Sequence, residues 1–342
     1  MTFNHSKYIT DAMNGFTMQQ TDFPYICTIV DDASTDGEQD VIRKYVEDYF
    51  DLTEDGMSYE KETDYAHILY AQHRTNNNCY FAVLFLKENH YSQKKDKLPY
   101  LKEWHSIVDY MAICEGDDYW IDPSKLACQV SILEKNKKVS MVCNNSYMFS
   151  EKKQKMRGEV KCRNKDGYLA IKDIILKGGL YISTCSIILR KWIFDNYYQT
   201  DYCINCHVGD YPLAILSALS GKVYFLVRPM SVYRIDNYMS WIGQNQVLSI
   251  GAFSGIKSEV QMLYGFADDY PTYRKYFIQR SHLYLLSFID IDCDKDVLKS
   301  YYTTFFNYLS KGSKLLIYLI IGNRILSYRI LNKLRFYLPK FF

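Results

Sequence analysis

The segment Tyr25–Phe50, YICTIVDDASTDGEQDVIRKYVEDYF, contains an apolar run, a polar loop and a helical repeat in succession. Tyr25–Val30 is rich in aromatic and β-branched residues, which predicts a strand. The loop DDASTDG has the composition of a turn, and Thr35 and Glu38 have the spacing of a helix capping box. Residues on one helical face follow: Val41, Ile42, Tyr45, Val46 and Tyr49. A strand that leads through a polar loop into a helix is the repeating unit of α/β folds.

The rest of the first 235 residues continues this alternation. Tyr8–Met18 predicts a short amphipathic helix, and DPSKLACQVSILEKN predicts a helix capped by Asp122. Further strands are predicted at MAIC, VSMVCNNSYMF and KVYFLVRPMSVYRI. Leu52–Glu103 is polar and rich in tyrosine, so we expect it to be irregular. The pattern predicts an α/β open sheet over residues 1–235 and a helical region over residues 236–342.

Three carboxylates occur together in Cys114–Trp120, CEGDDYW, directly after the strand predicted at MAIC. Glu115, Asp117 and Asp118 repel one another at the end of a buried strand unless a positive charge lies beside them. Mg²⁺ or Mn²⁺ takes carboxylate oxygens, commonly from one or two side chains together with substrate phosphates. A metal that bridges a diphosphate is one explanation of the motif, and a solvated loop whose acids face water is the other.

Further acids lie at the end of a predicted strand and at the start of a predicted helix. Asp31 and Asp32 end the strand of the opening segment, where a carboxylate can accept hydrogen bonds from a base or ribose; an Asx turn made by Asp36 or Thr35 is the structural alternative. Asp210, in HVGDYPL, precedes an apolar helix and is either a helix N-cap or a general base. Because ligands in open α/β sheets bind beyond the carboxyl ends of the strands, both acidic strand ends are expected at one site.

Composition narrows the class of protein. Apolar residues are 48% and charged residues 23% of the 342, a globular mixture. The ten cysteines have no disulfide-framework spacing and no signal peptide is recognised, which favours reduced thiols in the cytoplasm. Cys203–His207, CINCH, has the spacing of haem attachment, but neither an export signal nor a second pair of zinc ligands accompanies it. No apolar run reaches the roughly 18 residues that span a bilayer.

The C-terminal segment is both basic and apolar. Val297–Phe342 contains eight Lys or Arg and no Asp or Glu, which leaves about −6 on the first 296 residues. From Thr303 onward these cations recur among Leu, Ile, Tyr and Phe, which favours a segment lying on an anionic membrane surface. A helix packed on the preceding domain is the alternative. Nucleic acid is not the expected partner, because the tail is as apolar as it is basic.

In chain order, TFNHSKYI, VDDASTDG, EGDDYW-DP-KL, GDYPL and VYR resemble the motifs of inverting family-2 glycosyltransferases of the bacterial surface-polysaccharide type. The resemblance covers about residues 1–235 and implies the GT-A fold, an open mixed sheet flanked by helices, here with a helical C-terminal extension. The family begins with a strand of the form VSIIxPTYN, and Met1 stands at the position of that proline. The first strand is therefore expected to be missing, which leaves the edges of its neighbours unpaired.

The resemblance implies a nucleotide-binding role for several positions. Phe3 matches an aromatic residue that stacks on the base, and Asp32, with Asp31 beside it, matches the aspartate that hydrogen-bonds the base. Arg74 and Asn78, in QHRTNNN, loosely match the Arg/Asn segment that usually approaches the nucleotide.

The same resemblance implies where the chemistry takes place. Asp117 and Asp118 match the DXD-like pair that touches the ribose and holds Mn²⁺ or Mg²⁺, and Glu115 shares the metal. Asp210 matches the catalytic base. Arg234, in VYR, lies near the place where family members close over the diphosphate.

The implied reaction moves a sugar, with inversion, from a nucleotide-sugar donor, expected to be a UDP-sugar, to a hydroxyl of a glycan or lipid-linked acceptor. Such an enzyme would act in polysaccharide biosynthesis in the cytoplasm, peripherally on the inner membrane. The missing strand supports an alternative, in which a non-catalytic or truncated relative keeps the fold as a binding or scaffold module. The four retained aspartates, at positions 32, 117, 118 and 210, argue against it, because a scaffold has no use for them.

Overall fold

A computed structural model describes residues 1–53, 57–236 and 250–287. Its helices are α1 (Ile9–Thr17), α2 (Glu38–Tyr49), α3 (Leu98–His105), α4 (Lys125–Lys135), α5 (Ile171–Lys177), α6 (Lys191–Tyr198), α7 (Asp201–Ile204), α8 (Asp210–Ser220), α9 (Ile250–Asp269) and α10 (Arg274–Ser287). Its strands are β1 (Tyr25–Asp31), β2 (Phe50–Asp51), β3 (Tyr59–Glu62), β4 (Ala66–His73), β5 (Cys79–Leu86), β6 (Tyr110–Ala112), β7 (Tyr119–Trp120), β8 (Val139–Ser150), β9 (Lys155–Val160), β10 (Gly167–Leu169), β11 (Ile188–Arg190) and β12 (Lys222–Ile235). Short 3₁₀ turns lie at Gly179–Tyr181, Thr184–Ser186 and Pro271–Tyr273.

The strands form two open sheets. The first has the order β1-β5-β4-β2, with β3 beside β4, and β1 runs parallel to β5. The second has the order β10-β12-β8-β11-β6, with β7 beside β12 and β9 beside β8. Both sheets mix parallel and antiparallel pairs and are flanked by helices, which confirms the predicted mixed α/β architecture.

β1 is one outer strand of the first sheet and β6 is one outer strand of the second, within the described part of the chain. One isolated parallel bridge, between Thr2 and Asp31, touches the outer edge of β1. The side chains of the first four residues of β1 are only half-buried. The expected absence of a first strand stays a prediction.

The expectation that Leu52–Glu103 is irregular was wrong. The segment contains β3, β4, β5 and α3, and β5 lies between β1 and β4 with seven of its eight side chains buried. The β5 sequence CYFAVLFL is a continuous apolar run, which is typical of a strand covered on both faces. Polar residues on either side of the run, including NNN before it, hid this signal.

Two expected helix starts were also wrong in detail. Thr35 and Glu38 do not form a capping box, because α2 begins at Glu38 after Gly37, which takes a left-handed φ of 88°. The Glu38 side chain instead bonds to residues near the N-terminus. Asp122 accepts from the Ser124 amide at 2.8 Å, so the predicted capping residue forms a turn and α4 begins at Lys125. The predicted helix over Tyr8–Met18 is confirmed by α1.

Apolar side chains cover both faces of the first sheet, and helix α4 packs on the second sheet. One buried cluster joins α1 and α2 to β1, β4 and β5, and another places Leu101 and Trp104 of α3 on the opposite face. In the second sheet, Leu126 and Leu133 of α4 pack with Val142 and Ile188. This packing fixes the positions of the strand ends that carry the site.

The chain divides into two compact units. One comprises Met1–Cys203 with Gly209–Gln246, and the other comprises Ile204–Val208 with Val247–Phe342; the division predicted from the sequence fell after residue 235. In the described part of the chain, helices continue after residue 250 as α9 and α10, and neither these nor the earlier helices are long and apolar enough to cross a bilayer. The basic tail from Thr303 lies outside the described residues, so its predicted membrane contact stays a prediction.

Candidate active site

The acidic loop, residues 114–118, lies beside the carboxyl end of β12 in the second sheet. β6 and β8 both run antiparallel to β11, and β12 runs parallel to β8, so β6, β8 and β12 run in the same direction. Ala112 at the end of β6 and Val142 of β8 both pair with Ile188, so β8 continues well beyond the end of β6. The acidic loop follows β6, and β7 then pairs with the end of β12.

Residues 2–5 connect the end of β1 with the acidic loop. The Thr2 carbonyl accepts the Asp32 amide at 3.0 Å, and the buried Glu38 carboxylate accepts the His5 amide at 2.8 Å and the Thr2 hydroxyl. Gly116 of the acidic loop packs directly on this segment, because a Cβ there would lie 2.2 Å from Thr2 Oγ1. The two acidic strand ends are thereby adjacent, even though they belong to different sheets.

Arg234, near the end of β12, is a cation that contacts the acidic loop directly. Its amide donates to Asp118 Oδ1 at 2.8 Å, and its guanidinium donates to the Asp117 carbonyl at 2.6 Å. The same guanidinium pairs with Glu151 at 2.8 Å and with Asp11. Arg234 is buried, so these contacts hold the loop in place rather than leaving the guanidinium open to a diphosphate.

Asp118 is left with an uncompensated carboxylate. Its Oδ2 is buried without a hydrogen-bond partner among the described residues, and burial together with the charges of Asp117 and Glu115 raises its pKa well above the ordinary value. Glu115 keeps contact with solvent, yet the surrounding protein and the charges of Asp117 and Asp210 raise its pKa as well. A cation bound here would relieve all of these groups.

The donor set fits a hard divalent cation that is completed by substrate. No group of three or more His, Cys, Asp or Glu arranged to hold a metal occurs in the described ranges. Mg²⁺ and Mn²⁺ sites of this kind use one or two protein carboxylates and take the remaining oxygens from phosphates and water. The orphaned Asp118 Oδ2 and the unbonded Glu115 carboxylate supply such oxygens.

Asp210 is the first residue of α8, and Gly209 rather than Asp210 is the N-cap. Its Oδ1 accepts the Tyr211 amide at 2.8 Å. Burial raises the pKa of Asp210 from 3.8 to about 6. Its charge also acts on Glu115, which places Asp210 within electrostatic range of the acidic loop. A carboxylate with a pKa close to neutral is suited to accepting a proton.

Tyr233 lies among the acids and was missed by sequence reasoning. Burial and the charges of Asp118, Glu115, Asp210 and Asp117, in that order, raise the pKa of its phenol. The hydroxyl is therefore a proton donor throughout the physiological range. Its position one residue before Arg234 was visible in the sequence, but its closeness to the acids is visible only in the folded chain.

The Asp32 carboxylate is fully engaged by its surroundings. It accepts the amides of His90 at 2.8 Å and Tyr91 at 3.0 Å, and it pairs with Lys97 Nζ at 2.8 Å. The Asp32–Lys97 pair is largely buried. Asp32 therefore fixes the segment 90–97 beside the end of β1, and this segment, which sequence reasoning left unassigned, joins the site.

The end of β1 also contains strained backbone. Asp31 is buried; its Oδ1 accepts the Ser34 amide at 3.1 Å, and its Oδ2 has no partner among the residues described. Ala33 takes a left-handed φ of 60°, and the facing Asn4 takes 58°. Left-handed non-glycine residues cost about 1 kcal/mol or more each and cluster at functional sites. The two loops hold each other, because the Asn4 amide donates to Ser34 Oγ at 2.9 Å.

Two aromatic rings are exposed next to Asp32. Phe3 is 38% exposed and follows Thr2, whose carbonyl binds the Asp32 amide. Tyr91 is 63% exposed, and its own amide binds the Asp32 carboxylate. Exposed rings beside a polar anchor are suited to stacking on a planar base.

The structure does not bring Arg74 and Asn78 to this site. The Asn78 carbonyl accepts the amide of Tyr25, the first residue of β1, whereas the acids lie at the other end of that strand. Arg74 donates to the carbonyls of Asp48 and Glu47, each at 2.9 Å. A strand of seven residues spans about 20 Å, so these two side chains lie far from the acidic strand ends.

Fold and site together define a mixed α/β protein with an acidic loop beside the carboxyl ends of β1 and β12. No family model matches the chain. Similar sequences are the uncharacterized protein Mb1547 of Mycobacterium bovis and the uncharacterized proteins MT1570 and Rv1520 of Mycobacterium tuberculosis. Each is 27% identical over 242 residues, which is 70% of this chain and 59% of the relative's length. These relatives are uncharacterized, so function is inferred from the site itself.

Proposed function

We propose that the protein is an inverting, nucleotide-sugar-dependent glycosyltransferase of family 2 with the GT-A fold. The observation that carries the proposal is the grouping of Asp118, whose Oδ2 is an orphaned buried oxygen, with Asp210, whose pKa is raised to about 6, around the common neighbour Tyr233. One group needs a cation, and the other is able to take a proton. Transfer from a nucleotide-sugar to a hydroxyl uses both.

Asp210 is the general base in this proposal. An acceptor hydroxyl donates its proton to Asp210 Oδ2 as the hydroxyl oxygen forms a bond to the anomeric carbon. The bond between that carbon and the diphosphate oxygen breaks on the opposite face, and its electron pair leaves with the nucleoside diphosphate. The configuration of the sugar is inverted, and no second catalytic carboxylate is required.

Asp118 and Glu115, with Asp117 beside them, would hold Mn²⁺ or Mg²⁺. When bound, the metal neutralises the charge that develops on the diphosphate. Tyr233 lies within the electrostatic range of the same acids and keeps its proton. Arg234 acts as a positioning residue, because its contacts hold the acidic loop against β12.

The nucleoside would lie at the end of β1. Phe3 and Tyr91 offer the exposed rings, and Asp32 with Lys97 orders the segment that carries Tyr91. This refines the role implied for Asp32, whose carboxylate already accepts three donors. A UDP-sugar donor, an acceptor that is a glycan or lipid-linked glycan, and a role in polysaccharide biosynthesis belong to the same proposal.

The test is nucleoside diphosphate release from a panel of UDP-, GDP- and dTDP-sugars with Mn²⁺ and a mixed glycoside acceptor pool. We expect release from a UDP-sugar, and none from Asp210→Asn. Nucleotide binding by the wild-type protein without release from any donor would favour the scaffold alternative. Its main support is the expected absence of a first strand; its main difficulty is the buried, unpaired Asp118, which costs stability without a ligand.

A further inference from the structure

The turn that begins at Gly178 packs against the start of α8. Gly178 takes a left-handed φ of 79°, and the 3₁₀ turn Gly179–Tyr181 follows. A Cβ on Gly179 would lie 3.9 Å from both carboxylate oxygens of Asp210 and 3.5 Å from Tyr211 Cβ. Gly179 itself does not take a left-handed φ, so its backbone accepts alanine without strain.

Gly179 therefore leaves an open approach to Asp210. The Asp210 side chain is only partly buried, and its Oδ1 accepts the Tyr211 amide at 2.8 Å. A side chain at position 179 would lie over the Asp210 carboxylate, equally close to both of its oxygens. The contact distances are ordinary, so such a side chain shields the carboxylate without forcing the fold to move.

The next residue in the turn offers an exposed apolar side chain. Leu180 is 74% exposed, the largest exposed fraction among the large hydrophobic side chains of the described residues. An exposed leucine on a turn beside a half-buried carboxylate contacts the part of a ligand that does not react.

We propose that Gly179 sets the entry of the acceptor: a hydroxyl-bearing molecule larger than water passes Gly179 to reach Asp210 Oδ2, and Leu180 contacts its apolar part. The inference rests on the proposed function and extends it to the acceptor side. Gly179 is a specificity-determining residue here, and Asp210 remains the group that touches the reacting hydroxyl.

The kinetic test compares Gly179→Ala and Gly179→Val with Gly209→Ala, whose added Cβ meets Tyr197 Oη at 3.6 Å. Substrates are the active donor and p-nitrophenyl glycosides as acceptors. We expect the KM for the glycoside to rise with side-chain size, by roughly 10²-fold for valine, with unchanged donor hydrolysis by water and unchanged nucleotide affinity. Equal glycoside KM values in all variants would overturn the inference.

A second measurement needs no turnover. A water-soluble carbodiimide with glycine ethyl ester labels accessible carboxylates, and mass spectrometry reads the label at each position. Asp210 should be labelled in the wild type and in Gly209→Ala but protected at least about fivefold in Gly179→Val, while Glu115 is labelled equally in all three. Equal labelling of Asp210 would overturn the open approach. Protection of Asp210 in a protein that turns over no donor would instead contradict the proposed function.

Discussion

At the scale of single residues, the contacts of Arg234 only partly explain the three acids that follow β6. The Arg234 amide donates to Asp118 Oδ1, and its guanidinium donates to a main-chain carbonyl of the loop. The same guanidinium also pairs with Glu151 and Asp11. Asp118 Oδ2 therefore remains uncompensated. In the proposed function, the missing charge is a metal that arrives with a diphosphate.

The first prediction concerns Asp118. Asp118→Asn should stay folded, because it removes a buried charge, but should lower Mn²⁺-dependent affinity for UDP by roughly 10- to 100-fold. Titration calorimetry with UDP, with and without Mn²⁺, measures this. The matched control is Asp48→Asn, which changes an exposed carboxylate paired with Lys44 and should bind as the wild type does. Unchanged manganese dependence in Asp118→Asn would remove Asp118 from the metal site.

The second prediction concerns the pKa of Asp210. The folded pKa of about 6 lies above the ordinary 3.8, so ionisation is disfavoured in the folded state. Stability is therefore lost as the pH rises from 3.8 through about 6. A difference of two units corresponds to at most about 3 kcal/mol. Asp210→Asn should raise the unfolding free energy above pH 7 and leave it unchanged near pH 3, as measured by urea unfolding. A constant difference across this range would mean that Asp210 titrates normally.

At the scale of elements, Gly116 joins the N-terminal segment to the acidic loop. A Cβ at this position would meet Thr2 Oγ1 at 2.2 Å and Thr2 Cβ at 2.7 Å. Gly116→Ala should therefore cost about 1–3 kcal/mol and weaken UDP binding by displacing Phe3. In Thr2→Gly/Gly116→Ala the main clash is absent, so the double variant should be less destabilised than the sum of the single variants. Simple additivity, measured by thermal and urea unfolding, would contradict this contact.

The elements also show what a sequence can predict. β1, β8, β12 and α1 were predicted because their apolar patterns are local. β5 was missed because its polar flanks masked a strand that is buried by partners distant in the chain. The acids of the site were predicted from their positions after strands, whereas Tyr233, Tyr91 and Lys97 were not. Tyr233 comes near the acids only in the folded chain, and the contacts of Tyr91 and Lys97 depend on the fold of segment 90–97 around Asp32.

At the scale of the whole molecule, the basic C-terminal segment predicts binding to an anionic membrane surface. Val297–Phe342 carries eight cations and no acid, and each cation near an anionic surface contributes roughly 1 kcal/mol. The full chain should co-sediment with vesicles containing anionic lipid, less so at high salt. Deletion of Lys311–Phe342 should abolish co-sedimentation and leave UDP binding intact. Equal binding of the full chain to neutral and anionic vesicles would favour a packed terminal helix.

In the proposed function, one site binds a nucleotide-sugar and uses Asp210 to activate the acceptor. The most direct test measures donor affinity and transfer for the wild type and Asp210→Asn under the same conditions with Mn²⁺. The asparagine can still accept the Tyr211 amide, so the site should remain formed. We predict donor affinity within about twofold of the wild type and a loss of transfer of roughly 10²-fold or more. Equal transfer by both proteins, or loss of donor binding together with transfer, would contradict the account.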